Sequence, residues 1–177
     1  IQGYANLPVA IDEYNGAVMM SSVFGYDPTG TLFNMSFNND NSTVTHEVGH
    51  FLDLYHPFQG GSSGVCPPNE TNCSTQGDKV CDTPPIMNYL NYNNNTIYFN
   101  CPIGTVNTCS TGNLDQVMHN IMNYTSCPDR FTAGQATRIQ ASLATSRLSL
   151  TKSLGLVVPS GAYTQPKTAC ASITTGD

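Results

Sequence analysis

The sequence predicts an α+β domain, with a small mixed sheet packed on one amphipathic helix, an irregular cysteine-rich C-terminal half and a closing helix. Three observations carry that reading. Two strand-like runs precede residue 45, two stretches repeat apolar residues at helical spacing, and six of seven cysteines lie between Cys66 and Cys127. At 177 residues and 39% hydrophobic, the chain can bury a core as one domain. Residues 1–154 carry the patterned sequence, and 155–177 read as a tail or linker because periodicity is lost there.

The runs "YANLPVAI" and "GAVMMSSVFG" are each bounded by Gly, Pro or Asn, as short strands are, and "DEYN" between them reads as a turn. In "TVTHEVGHFLDLY", Val44, Val48, Phe51, Leu52 and Tyr55 recur at spacings of three and four, which predicts a helix over about 43–54. Asn41 or Ser42 can cap it. From Pro57 to about Asn113 no long periodic segment appears, and "NYLNYNNNTIYFN" reads as a surface loop or irregular hairpin. "FTAGQATRIQASLATSR" predicts the closing helix, with Thr132 and Gln135 as a capping box and Ala136, Ile139 and Leu143 as an apolar stripe.

Composition narrows the function. A net charge of −6 with six Lys and Arg argues against nucleic acid and anionic membrane surfaces, both of which reward clustered positive charge. No run approaches the ~20 apolar residues of a membrane span, and Ile1 does not open a signal peptide, so the chain reads as a mature or processed piece. The cysteine density favours disulfides, and with them secretion. Of the seven, six can pair, and Cys170 is the simplest to leave over. Glycosylation sequons at Asn34, Asn41, Asn69, Asn72, Asn94 and Asn123 point weakly the same way.

Three of the four histidines crowd into "THEVGHFLDLYH". Residues four apart share one face of a helix, so His46 and His50 can offer their imidazoles to a single metal ion. Glu47 is poorly placed to join that clamp but can reach a water beside the ion and take its proton. His56 can complete the set if the chain turns back after the helix. Three neutral imidazoles leave a fourth tetrahedral position open, as catalytic zinc requires.

These residues resemble the metzincin pattern HExxHxxGxxH, and "HEVGHFLDLYHPFQGG" is particularly similar to the pappalysin family of secreted zinc endopeptidases. Two further segments, in order, resemble that family: "GDKVCDTPP", and "HNIMNYTS" in the place of its Met-turn. The resemblance implies a zincin-like fold, protein or peptide substrates and Zn2+ held by His46, His50 and His56. It implies Glu47 as general base and acid, and Met122 as a hydrophobic floor. Tyr124 would hydrogen-bond the oxyanion or approach the zinc, or be an ordinary half-buried tyrosine. Ca2+ is implied near Asp78, the Val80 carbonyl, Asp82 and Thr83, where the alternative is a turn held by Asp hydrogen bonds. It also suggests the disulfides Cys73–Cys109, Cys101–Cys127 and Cys66–Cys81, among fifteen pairings that the sequence allows. His119, just before the Met-turn, reads as a packed or hydrogen-bonded residue. In "TSCPDRF", either Asp129 or Arg130 would face the pocket beyond the scissile bond.

Two departures qualify the resemblance. Asp53 stands where the pattern has the glycine that ends the helix with positive φ, a conformation Asp tolerates at a cost on the order of 1 kcal/mol. Asp53 is thus expected to strain the turn, and its carboxylate to come near His56 or the zinc. In addition only 45 residues precede the histidine helix, so the N-terminal part looks minimal, truncated or cut away. These departures motivate an alternative, a catalytically impaired zincin-like binding protein, which the intact Glu47 argues against. A disulfide-stapled structural module is a second alternative.

Overall fold

In the computed structural model, residues 2–8, 15–23, 42–62, 64–68, 72–88, 107–110, 114–125 and 127–153 are described. Strands β1 (Gly3–Ala5) and β2 (Ala17–Met19) fall inside the two expected runs and pair antiparallel, with Tyr4 opposite Val18. Among the described residues this two-stranded antiparallel pair is the whole sheet, where a mixed one was expected. Helix α1 (Ser42–Phe51) packs on both strands. Gly3 permits the approach, because a β-carbon there would lie 2.9 Å from the Glu47 side chain and 3.0 Å from the Val18 carbonyl.

Helix α1 stops three residues earlier than its apolar spacing predicts. Leu54 N–H donates to the Gly49 carbonyl and Asp53 N–H to that of His50, while Asp53 has φ of +76°. That combination is a Schellman ending with Asp53 in the left-handed position, so the motif's glycine conformation is adopted without the glycine. The burial of α1 is also not the expected stripe. Val48 is 40% exposed, whereas His46, Glu47 and Gly49 are buried.

The apolar core lies beyond α1, where Phe58, Ile86, Leu114, Val117 and Met118 pack together. Three of these come from α2 (Leu114–Met118), a five-residue helix too short to register as a periodic pattern. Helix α3 (Ala133–Ala144) begins with the expected capping box, in which Gln135 N–H donates to Thr132 Oγ1 and the Gln135 side chain accepts from Thr132 N–H. Its expected apolar stripe is corrected, since Ala136 is exposed and the buried residues are Gln135 and Ser142. A short helix α4 (Leu148–Thr151) follows.

The structure also corrects the disulfides. Cys66 pairs with Cys109 and Cys73 with Cys81, in place of the implied Cys73–Cys109 and Cys66–Cys81. The shorter bridge follows from a tight loop: Asn72 Oδ1 accepts from Ser74 N–H and Oγ, and Gly77 and Lys79 both take positive φ. The chain thereby doubles back to put the α-carbons of Cys73 and Cys81 4.9 Å apart. Cys127 is disulfide-bonded, but Cys101 lies outside the described residues, as do Cys170, the tail, the Asn/Tyr-rich loop after Asn88, most of the "DEYN" turn and the sequons at Asn34, Asn41, Asn69 and Asn94.

Candidate metal centre and active site

Helix α1 delivers His46 and His50 from successive turns, and the left-handed step at Asp53 returns the chain so that His56 meets them. The His56 Nε2 atom lies 3.2 Å from His46 Nε2 and 3.0 Å from His50 Nε2. Among the described residues these three form the one cluster of His, Cys, Asp or Glu able to converge on a metal ion. Tetrahedral zinc with bonds of about 2.05 Å would set its ligand nitrogens about 3.3 Å apart, close to what the histidines present.

The ring orientations fit the same purpose. His46 Nδ1 lies 2.7 Å from the Ile121 carbonyl and His50 Nδ1 2.8 Å from the Leu54 carbonyl. A carbonyl only accepts, so both Nδ1 atoms carry the proton and both Nε2 lone pairs face the centre. Burial, reinforced by the neighbouring imidazoles, lowers the His46 pKa to about 4 and that of His56 to about 2, and burial lowers His50 as well. All three are therefore neutral near pH 7, as ligands must be.

Glu47 is only 6% exposed, and its Oε2 is buried without a hydrogen-bond partner. Desolvation raises its pKa, the change that turns a carboxylate into a better base. Tyr124 stands over the cluster, its ring centroid 4.7 Å from that of His56 and 5.6 Å from that of His46. Burial first and the Glu47 charge second raise its phenol pKa, which keeps it a donor. Phe58 stacks on His56, with centroids 4.5 Å apart, and also meets Tyr124, at 5.0 Å. Met122 is fully buried beneath α1, and a β-carbon on Gly49 would overlap its sulfur.

The other expected site residues fall elsewhere. Both Asp82 oxygens serve the start of α3, accepting from Thr132 Oγ1 at 2.7 Å and Gly134 N–H at 2.8 Å. Asp78 Oδ1 accepts from Val80 N–H, and the Val80 carbonyl accepts from Thr83 N–H. His119 bonds Asp129 at 3.1 Å and is not part of the metal cluster. Asp129 is held by Arg130 and His119, and Arg130 also lines a 610 Å³ cleft with Cys81 to Pro85, to which no residue of the histidine cluster contributes. The sequon residue Asn123 is 4% exposed and donates its amide to the Val117 carbonyl, so the folded protein does not offer it for glycosylation.

The expectation for the Asp53 carboxylate is corrected. It is taken up by Arg138 of α3, whose Nη2 donates to Asp53 Oδ2 and whose Nε donates to the Asp53 carbonyl, both at 2.7 Å. Arg147 similarly donates to the carbonyls of Phe51 and Asn6. Neither arginine, nor the reciprocal amide pair of Asn120 and Gln135, stands out in the sequence, because their partners are distant in the chain.

The family model Peptidase_M43, described as pregnancy-associated plasma protein-A, matches residues 2–144. The chain is 41% identical over 101 residues to extracellular metalloprotease 1 of Coccidioides posadasii, covering 56% of this chain and 29% of that protein. It is 33% identical over 145 residues to an extracellular metalloprotease of Sordaria macrospora, covering 77% and 42% respectively. Among solved structures, Tannerella forsythia mature mirolysin in complex with a cleaved peptide matches with a TM-score of 0.54 and 27% identity, over 79% of this chain and 46% of that one. A mirolysin in complex with a small compound also gives 0.54 and 27%, over 82% and 48%. The chain thus spans less than half the length of each of these relatives.

Proposed function

The chain belongs to the Peptidase_M43 family, and from that premise we propose that it carries the catalytic centre of a secreted zinc endopeptidase acting on proteins or peptides. The single observation that bears most weight is the convergence of the three histidine ring nitrogens, on a helix whose Glu47 has a buried, partnerless Oε2. Zinc bound there would act as a Lewis acid on the scissile carbonyl and lower the pKa of the attacking water. Glu47 takes the proton of that water through Oε2 and returns it to the leaving amine. Tyr124 donates from its hydroxyl to the carbonyl oxygen as charge develops on it. His46 and His50 are held in one tautomer throughout by the Ile121 and Leu54 carbonyls. The peptide would lie extended along β1, which Gly3 brings against Glu47, and bond through its backbone.

Residues 1–154 form the catalytic region in this reading and 155–177 a tail. Secretion is supported by the extracellular relatives and by the disulfides. The alternative of an impaired binding protein loses one of its motives, since the Asp53 carboxylate bonds Arg138.

The test is cleavage of a denatured protein by the zinc-loaded form, with Glu47→Ala alongside and new termini read by mass spectrometry. The expected outcome is cleavage that falls by at least ~10³-fold in Glu47→Ala while zinc remains bound. Equal cleavage by both would remove Glu47 from its role, and no cleavage by either, with zinc confirmed, would favour the binding alternative.

A further inference from the structure

We propose that Arg138 is a positioning residue for the metal centre, which allows aspartate to stand at the position where the motif calls for glycine; this rests on the zinc reading above. Residue 53 must take positive φ for His56 to reach the other two histidines, and Asp53 does so at +76°. Glycine is free in that region, whereas aspartate must be held there. Arg138 grips Asp53 at two points, the carbonyl through Nε and the carboxylate through Nη2, which fixes the backbone and the side chain of the same residue. The planar guanidinium is suited to that double grip.

The residues that follow Asp53 transmit the effect. Leu54, fully buried, presents the carbonyl that sets the His50 tautomer. Tyr55 lies between two cations: Lys79 Nζ donates to its hydroxyl at 3.2 Å, and the Arg138 guanidinium carbon is 5.4 Å from its ring centroid. His56 comes next. A turn loosened at residue 53 would therefore disturb one ligand's orientation and another's position. The pair is only partly exposed, with side chains at 21% for Arg138 and 26% for Asp53, so water competes weakly for it.

The test is the zinc dissociation constant, measured by competition with a chromophoric chelator, for the unaltered protein, Arg138→Met, Arg138→Lys, Asp53→Gly and Asp53→Gly/Arg138→Met. Arg138→Met should weaken zinc binding about tenfold, the lower end of the loss seen when a metal ligand loses its own hydrogen-bond partner, because Arg138 acts on the ligands through the turn. Arg138→Lys should lose nearly as much, because one ammonium cannot serve carbonyl and carboxylate together. Asp53→Gly should stay within about threefold, the freed strain offsetting the lost ion pair. In that glycine background Arg138→Met should cost less than about threefold. Equal losses from Arg138→Met in both backgrounds, or full affinity in Arg138→Lys, would reduce Arg138 to a packing residue and overturn the proposal. Should Arg138→Met fail to fold, Arg138→Lys with and without Asp53→Gly gives the same comparison. An unaltered protein that binds no zinc would overturn the metal-centre reading itself, an outcome distinct from zinc binding with additive losses.

Discussion

Gly49 stands between His46 and His50 for a steric reason. The fully buried Met122 sulfur occupies the space where a β-carbon would go, and Leu54 Cδ1 closes the same space at 3.6 Å. Gly49→Ala should therefore destabilise the fold by about 1–3 kcal/mol, as overpacking does, despite alanine's better helix propensity. Thermal melts would show a fall of roughly 2–10 °C for a chain of this length. In a Met122→Ala background the same substitution should cost much less, since the obstructing sulfur is gone. An equal cost in both backgrounds would mean that the clash is not the cause. Single residues are also where the sequence is most legible. His46, Glu47, His50 and His56 can be read because helical spacing fixes which side chains can meet, and the left-handed turn at Asp53 because the motif demands one. The Ile121 and Leu54 carbonyls that orient the rings cannot, because every residue has a carbonyl and side-chain identity does not mark it.

At the scale of elements, α3 is a strut rather than a core helix. Its first turn takes Asp82 on Thr132 Oγ1 and Gly134 N–H, its Gln135 meets the Met-turn, and its Arg138 meets the end of α1. The expected apolar stripe misreads this helix because what it docks against is loop backbone and amide, so its buried positions carry hydrogen-bonding groups. Asn120 and Gln135, at most 1% exposed, exchange two amide hydrogen bonds, and Asn120 Oδ1 also accepts from Met122 N–H. Gln135→Ala leaves Asn120 Nδ2 buried without its acceptor and Thr132 N–H without its side-chain partner, at a cost of about 1–3 kcal/mol. The informative measurement is hydrogen exchange at the Met122 amide, which should quicken in Gln135→Ala. Thr132→Ala removes part of the cap, costs about 0.5–2 kcal/mol, and should leave Met122 protection in the native state nearly unchanged. Similar Met122 exchange in both variants would mean that the amide pair does not act on the Met-turn separately from the cap. None of this wiring can be read from spacing, since Gln135 and Arg138 bond residues 15 and 85 positions away.

Across the whole molecule, the Cys66–Cys109 bridge spans the long excursion between the histidine segment and the Met-turn. Cys66 lies ten residues after His56 and Cys109 eleven before Asn120, so Cys66–Cys109 ties the excursion's two ends together near the Phe58, Ile86 and Leu114 core. Cys73–Cys81 closes a small loop within it. Chain-entropy reasoning gives the two bridges unequal weight: a separation of 43 residues is worth about 4 kcal/mol and one of 8 about 2.5 kcal/mol. Replacing Cys66 and Cys109 together by serine should therefore lower stability in urea by roughly 1–2 kcal/mol more than replacing Cys73 and Cys81. Because both bridges lie outside the three-histidine cluster and act mainly on the unfolded chain, zinc affinity of the folded variants should stay within about threefold of the unaltered protein. A larger loss from the short bridge would show that it supports native structure, holding the loop that carries Asp82 to α3. Zinc affinity falling in parallel with stability would show that the excursion braces the metal centre directly.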